Sequence, residues 1–436
     1  MTTSAPPASI RGKFTRQQRK AIVAGSIGNA VEFVDWAVYA TFSSVFAAQF
    51  FPGDDPTAAL LSTLLVFAVG FVMRPVGSAV LGHYADRHGR KAGLTLTIGI
   101  MAGATALIAV TPSYATIGVF APILLLLARL AQGFSAGGEF GASSAFLVEN
   151  AAQGRRAFAG SWQQVSVGAG VLVASLMGVI LTNSLSEEAL ASWGWRVAFG
   201  VGALLGLVGL WLRVTVEETE SFSEAKAARA HEVEKHNPLV DMVTTHRRAA
   251  LRVAGITIAG TLTYYIFINY MPTFARTNAA VTLSEAFLAN TIAVAVFLVL
   301  LPFGGMLSDK IGRKATMTAF AAGFVVFAWP AFHFIQGGGF ATLLVIELVG
   351  VFLLVGYSAN CAVVMAEQFP PEVRTTGIGL PYALAVAVFG GTAPYVTTWM
   401  SSNGYIDYIW IYVAVAAAIG VVVYTMMPET KDKEMA

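Results

Sequence analysis

Six ionisable side chains fall in stretches that are otherwise almost wholly apolar: Glu32, Asp35, Arg74, Arg129, Glu139 and Glu347. If those stretches lie in a bilayer, each charge costs about 2.5–3.5 kcal/mol at a helix centre, so each requires a partner or a task. The chemistry open to them is binding, not bond making. A carboxyl withdrawn from water holds a proton more readily, and a nearby guanidinium opposes that. A guanidinium fork donates two parallel hydrogen bonds to a carboxylate. Arg129 and Arg74 can thus each take one end of a dicarboxylate, while Asp35, with Glu32 second, can carry a proton. Arg74, nearer one membrane face and followed by Pro75, has a gating partnership as its other reading.

The elements that hold these groups must be membrane helices. The 436 residues are 56% hydrophobic and 12% charged, with a mean hydropathy of +0.67. Soluble globular chains carry about 25% charged residues. The composition also excludes disorder, and 43 glycines without a three-residue period exclude collagen. Long apolar runs such as Ile411–Met427 argue against a β-barrel. Twelve spans fit, at roughly 21–48, 59–82, 92–111, 118–149, 157–183, 194–213, 250–275, 285–307, 315–335, 340–367, 375–400 and 406–427. Residues 1–20 show no cleavable leader. The single Cys361 has neither a disulfide partner nor metal-ligand spacing around it.

Charge position supports the count. Of 27 Lys and Arg residues, 23 fall at the ends of spans that share one face, while Arg196 and Arg276 fall at the other. Basic loops face the cytoplasm. Both termini are therefore expected there, in a multi-pass protein of the plasma (inner) membrane. The division is 1–20 as an N-terminal segment, 21–213 as a six-helix bundle, 214–249 as a linker, 250–427 as a second bundle and 428–436 as a tail. The mixed-charge stretch Ser221–Lys235 reads as a surface helix.

The halves repeat. Gly82-His-Tyr-Ala-Asp86-Arg87-His-Gly89-Arg90-Lys91 returns as Gly305-Met-Leu-Ser-Asp309-Lys310-Ile-Gly312-Arg313-Lys314. Glu149 with Arg156 returns as Glu367 with Arg374, and Glu218-Thr219 as Glu429-Thr430. Internal repeats build secondary transporters. The duplicated segment resembles the signature of the major facilitator superfamily. Gly28-Asn29-Ala-Val-Glu32-Phe-Val-Asp35-Trp36, Gly70-Phe-Val-Met-Arg74-Pro75, Arg129-Leu-Ala-Gln132-Gly133 through Glu139 and Trp193-Gly-Trp195-Arg196 look like its metabolite:proton symporter branch. Glu367-Gln-Phe-Pro370 through Arg374, Gly379-Leu-Pro-Tyr382 and Phe389-Gly390-Gly391 are most similar to alpha-ketoglutarate permeases. Val34 and Ala37 depart from that pattern, where larger side chains are usual.

The resemblance implies twelve helices in two pseudo-symmetric bundles. It also implies proton-coupled symport of a small organic acid anion such as alpha-ketoglutarate, by one chain acting as a monomer in the lipid bilayer. A proton-driven exporter of a drug or other anion, and a proton/osmolyte symporter for proline or betaine, share the scaffold. The second is disfavoured by the lack of a long coiled-coil tail. An enzyme is not expected, nor is a cofactor, metal or nucleic acid.

Helical periodicity puts Asn29, Glu32, Asp35, Trp36 and Tyr39 on one arc of span one, and Arg129, Gln132 and Glu139 on one side of span four. The two arcs are expected to face each other, with Arg129 near Asp35 or Glu32. Gln163, Tyr264, Tyr265, Asn269, Asn360 and Tyr382 are further candidate ligand contacts, and Pro272 is a bending point in span seven. Asp86, Arg87, Arg90, Glu149, Asp309, Arg313, Glu367 and Arg374 are expected to latch the cytoplasmic face. In that latch Asp86 and Asp309 face helix N-termini, and Arg90 and Arg313 pair with Glu149 and Glu367. His333 reads as inert, and Glu347 has no assigned role.

Overall fold

The structure, a computed structural model, describes residues 16–431 apart from 89, 138, 150, 153, 216–240 and 243. The side chains of Glu32, Asp86, Arg87, Arg90 and Glu139 lie outside the described residues, as do most of 214–249 and most of 1–20. Among the described residues every regular element is a helix. Nine of these are long and apolar enough to cross a membrane: Pro56–Leu81, Arg156–Ser184, Glu187–Trp211, Arg247–Asn278, Leu283–Ile311, Arg313–Phe334, Phe340–Ala366, Val373–Ser402 and Ile406–Met426. Two shorter apolar helices, Thr95–Val110 and Phe120–Ala136, and the 35-residue Arg16–Phe50 complete twelve spans. They are numbered below as spans one to twelve in chain order. At 1.5 Å per residue Arg16–Phe50 runs about 52 Å, well beyond a hydrocarbon core of about 30 Å. Its basic start therefore projects past the apolar slab.

Local chemistry sets the breaks. Thr282 and Glu285 form a reciprocal capping box that starts span eight. Spans eight and nine meet at Gly312, whose φ of +107° only glycine adopts without strain. Span four stops after Ala136 and resumes as Glu139–Glu149. Span seven widens into a π-turn over Tyr265–Tyr270, just ahead of Pro272, where the sequence placed a bend. A second π-turn, Val386–Gly390, interrupts span eleven.

The packing has a two-fold pattern. Spans one and five, two and four, and three and six pack together in the first half. Seven and eleven, eight and ten, and nine and twelve do so in the second. Across the halves, span five packs on span eight and span two on span eleven. This is the two-bundle arrangement that the repeat implies. Spans two and four touch backbone to backbone. A Cβ at Gly133 would overlap the Gly70 carbonyl oxygen, one at Gly137 that of Arg74, and one at Gly77 that of Phe134. Small residues permit such close approach in lipid. The contact fixes the backbones that carry Arg74 and Arg129.

Candidate substrate and proton site

Arg74 and Arg129 converge on one indole. Their guanidinium carbons lie 4.2 and 4.1 Å from the Trp36 ring centroid. Arg129 also lies over Tyr39 at 4.3 Å and Phe67 at 5.0 Å, and Arg74 over Phe71 at 4.2 Å. Arg129 is 0% and Arg74 5% exposed. Cation–π contact lowers the cost of such burial but cannot replace hydrogen bonds. Nε and Nη2 of both arginines have no hydrogen-bond partner. Tyr39, whose hydroxyl donates to the Thr63 carbonyl at 3.0 Å, closes one side of the group.

Asp35 is reached by a relay and not by an ion pair. Arg129 Nη1 donates to Gln132 Oε1 at 2.7 Å, Gln132 Nε2 to Thr105 Oγ1 at 2.8 Å, and Thr105 to Asp35 Oδ2 at 2.5 Å. The sequence placed Arg129 near Asp35 or Glu32, and the tie to Asp35 runs through other side chains. Span three stands between, because Thr105 occupies the position nearest the carboxylate. Arg196, which donates to the carbonyls of Ala109 and Thr111 at 3.2 and 2.5 Å, holds the end of that helix. Asp35 Oδ1 has no partner and sits beside Gly202 of span six, where an added Cβ would come within 2.6 Å. The acid therefore lies behind the arginines, buried among spans one, three and six. Where Glu32 and Glu139 stand relative to it lies outside the described residues.

The other candidate contacts divide. Tyr264 and Tyr265 are buried on span seven. The Tyr265 ring packs 5.3 Å from Phe71 and lies beside Arg74, and the Tyr264 hydroxyl has no partner. Asn269 is buried on the same π-turn. Tyr382 stacks on Phe140 at 3.6 Å, joining spans eleven and four. Gln163 is not free for a ligand. Its oxygen accepts from Ser144 at 2.7 Å and its nitrogen donates to Ser143 at 3.1 Å, so it ties span five to span four. The adjacent Gln164, which the sequence offered beside Gln163 as a cavity residue, keeps an unpartnered oxygen and donates to Cys361 Sγ at 3.2 Å across the halves. Asn360 is committed through its nitrogen to Thr316 Oγ1 at 3.1 Å and the Gly356 carbonyl at 2.8 Å, while its oxygen has no partner. Thr105 was missed, as one hydroxyl in an apolar helix gives no pattern to read.

At the basic face the two halves are bolted by charge. Asp309 accepts from the backbone N–H groups of Ala157 and Phe158, both at 3.0 Å, at the N-terminus of span five. That is the helix-end contact expected of it. Arg313 bonds Asp309 at 2.9 Å and Glu367 at 3.4 Å, while Arg156 reaches Glu367 from the other half at 3.4 Å. Glu149 pairs with Arg374 across the halves at 2.6 Å. Glu429 caps the backbone N–H groups of Arg313 and Lys314, both at 3.0 Å, and Thr430 bonds Glu367. Burial pushes Glu367 above its ordinary value despite Arg313, Thr430 and Arg156. Burial also pushes Glu429 upward, but four backbone N–H donors outweigh it and hold that carboxyl below its ordinary value. With this latch engaged and the arginines buried, the described conformation is closed at the basic face and at the centre.

Residues 20–436 match the protein family described as "Sugar (and other) transporter". The sequence is 38% identical to the alpha-ketoglutarate permease of Escherichia coli (strain K12) over 100% of this chain and 99% of that protein. It is 36% identical to a citrate-proton symporter of Klebsiella pneumoniae, covering 87% of this chain and 84% of the symporter. It is 33% identical to a proline/betaine transporter of Salmonella typhimurium, covering 96% and 85%. The fold is similar to that of the proton:xylose symporter XylE, with a TM-score of 0.75, 18% identity, and coverage of 96% of this chain and 97% of XylE.

Proposed function

The chain belongs to the sugar (and other) transporter family of the major facilitator superfamily, and from that premise we propose that this membrane transporter, not an enzyme, imports a small organic acid anion together with protons. The cargo class is a di- or monocarboxylate such as alpha-ketoglutarate. The carrier works as a single chain by alternating access in the plasma (inner) membrane, with the basic face and both termini cytoplasmic. One observation carries the reading: two buried guanidiniums share one indole and keep Nε and Nη2 unpartnered, a donor set suited to carboxylate oxygens. A zwitterion such as proline or betaine would bring its own cation against two guanidiniums, so the acid relatives fit this site better than the osmolyte carriers.

The relay supplies the coupling. Thr105 has one hydroxyl hydrogen and two acceptors for it, Asp35 Oδ2 and the Met101 carbonyl at 2.9 Å. A proton added at Asp35 Oδ1 removes the charge that holds that hydrogen. Thr105 then turns to Met101, and the polarised chain through Gln132 relaxes. Arg129 is left to balance an incoming carboxylate. The anion in turn draws Arg129 away from the relay and favours protonation of Asp35. Each ligand strengthens the other, as symport requires. With both bound, the centre is neutralised and the halves can rock, releasing the latch.

The test is uptake of labelled organic acids into right-side-out vesicles with an imposed inward pH gradient. Dicarboxylate accumulation that collapses with a protonophore is expected. Accumulation indifferent to the protonophore would overturn proton coupling, and accumulation only under an outward gradient would make the chain an exporter.

A further inference from the structure

Glu347 is a carboxyl in the second half that the relay does not use. It is 0% exposed, and neither oxygen has a hydrogen-bond partner. Its polar neighbour is Asn290 of span eight, which keeps one amide hydrogen to turn toward it. Asn290 donates to the Ile268 carbonyl at 3.2 Å and accepts from Ser175 of span five at 3.0 Å. No compensating charge is near. Spans seven to nine carry no Asp, Glu, Lys, Arg or His over 253–275, 286–308 and 315–332, and span five carries none over 157–184. Within those stretches the titratable groups are tyrosines, Tyr264, Tyr265 and Tyr270 of span seven, with Tyr357 on span ten itself and Tyr424 of span twelve beside Tyr357; the charged groups of spans seven to nine, Arg247, Arg248, Arg252, Arg276, Glu285, Asp309, Lys310, Arg313, Lys314 and His333, stand at the helix ends. Tyr270 is bonded to Thr398, and Tyr424 donates to the Ile256 carbonyl at 2.8 Å. A carboxylate with no counter-ion and at best one neutral donor does not persist in such a place, whereas a carboxylic acid can.

The neighbourhood is a hinge and a seam. Pro272 has no N–H to offer the Ile268 carbonyl four residues back, and Asn290 supplies that donor. Ser175 joins the same cluster from the other half and also donates to the Phe287 carbonyl at 3.1 Å. Glu347 and Asn290 both stand seven residues from the start of their helices at the face opposite the latch, about 10 Å deep. Asp35 stands 15 residues from the end of span one at that face, about 22 Å deep.

We propose that Glu347 is a second proton-binding site, occupied while the carrier is closed and exchanging with the external solution when span seven swings at its Ile268–Pro272 kink and the Ser175–Asn290 seam parts. The inference rests on the proton-coupled reading above but concerns a proton that the Arg129–Asp35 relay does not hold.

Infrared difference spectroscopy on the full chain in lipid tests occupancy directly. The wild type should show the carbonyl stretch of an unbonded carboxylic acid. Glu347→Gln should lose that band, Glu347→Asp should shift it, and Asp35→Asn should retain it. In proteoliposomes Glu347→Gln should keep substrate exchange within about twofold, which reports folding, while the proton:substrate ratio from the reversal gradient falls by one. A band that survives Glu347→Gln, or an unchanged ratio, overturns the proposal. Were the wild type to move no protons, the exchange site would be lost with the coupled reading, while the infrared arm would still decide whether Glu347 is protonated.

Discussion

The centre and the basic face use the same side chains to opposite ends. At the basic face Arg374 and Arg313 donate to carboxylates and to backbone carbonyls, and Asp309 and Glu429 each accept from two or more backbone N–H groups. The charges there pair with one another, and the Nε of Arg313 is the one buried guanidinium nitrogen left without a partner among these described groups. At the centre Arg74 and Arg129 are buried as deeply, yet two nitrogens of each have nothing to bond. Similar burial with unequal satisfaction is the contrast on which the proposed cargo-binding role of the two central arginines rests.

Substitutions sharpen that contrast. The largest effect belongs to the centre. Arg129→Lys replaces a fork with a point charge and should lower the uptake rate by about 100-fold or more, as the loss of a buried charge-assisted pair of 2–5 kcal/mol implies. Asp35→Asn should abolish accumulation against a gradient while leaving exchange measurable. Labelled counterflow separates the two phenotypes, and accumulation surviving Asp35→Asn would remove it as the proton carrier.

Latch changes should be reversible where central ones are not. Glu149→Arg or Arg374→Glu alone should shift the carrier toward opening at the basic face by about 5- to 150-fold in population, the range of coupling energies near 1–3 kcal/mol. The double reversal should restore the closed state. Spin-label distances between positions 155 and 245 would read this. Failure of the swap to rescue would mean that the pair contributes more than charge.

Adjacent glutamines offer a smaller test. Gln163→Ala should cost about 1–3 kcal/mol of stability by orphaning its partners, with little change in KM. Gln164→Ala should leave stability nearly unchanged and raise KM several-fold. Thermal unfolding and uptake kinetics together decide it.

The smallest effect is that of pH at the latch. Glu367 binds its proton more tightly when latched than when exposed, so acidification from neutral pH should first favour closure. Glu429 behaves oppositely: its contribution is fully present above the ordinary glutamate value of 4.5 and is lost progressively as pH falls from there through its lowered value. The same label distances, followed against pH, should shorten and then lengthen.

Hydropathy made the helices legible and the doubled loop pointed to the charged contacts of Asp309, Arg313 and Glu367, because apolar length and repeated charge are one-dimensional signals. Asp309 reached its helix N-terminus as its spacing implied. The Arg129–Asp35 link was not legible as built. Its two middle members are a threonine, ordinary in any helix, and a glutamine read as a ligand. Nor could the sequence tell Gln163 from Gln164. Neighbours on a helix point about 100° apart, and only the helix's rotation against its partners decides which one turns inward.

The interlocked glycines of spans two and four have one more consequence. Their main chains cannot slide past each other without collision at Gly70, Gly77, Gly133 and Gly137. The two cations mounted on them therefore act as a rigid gauge. Adaptation to molecules of different length must come from the facing wall, where spans seven and eleven are loosened by π-turns. Exchanging residues on that wall should retune which acids are accepted, whereas widening the gauge itself should reject them all.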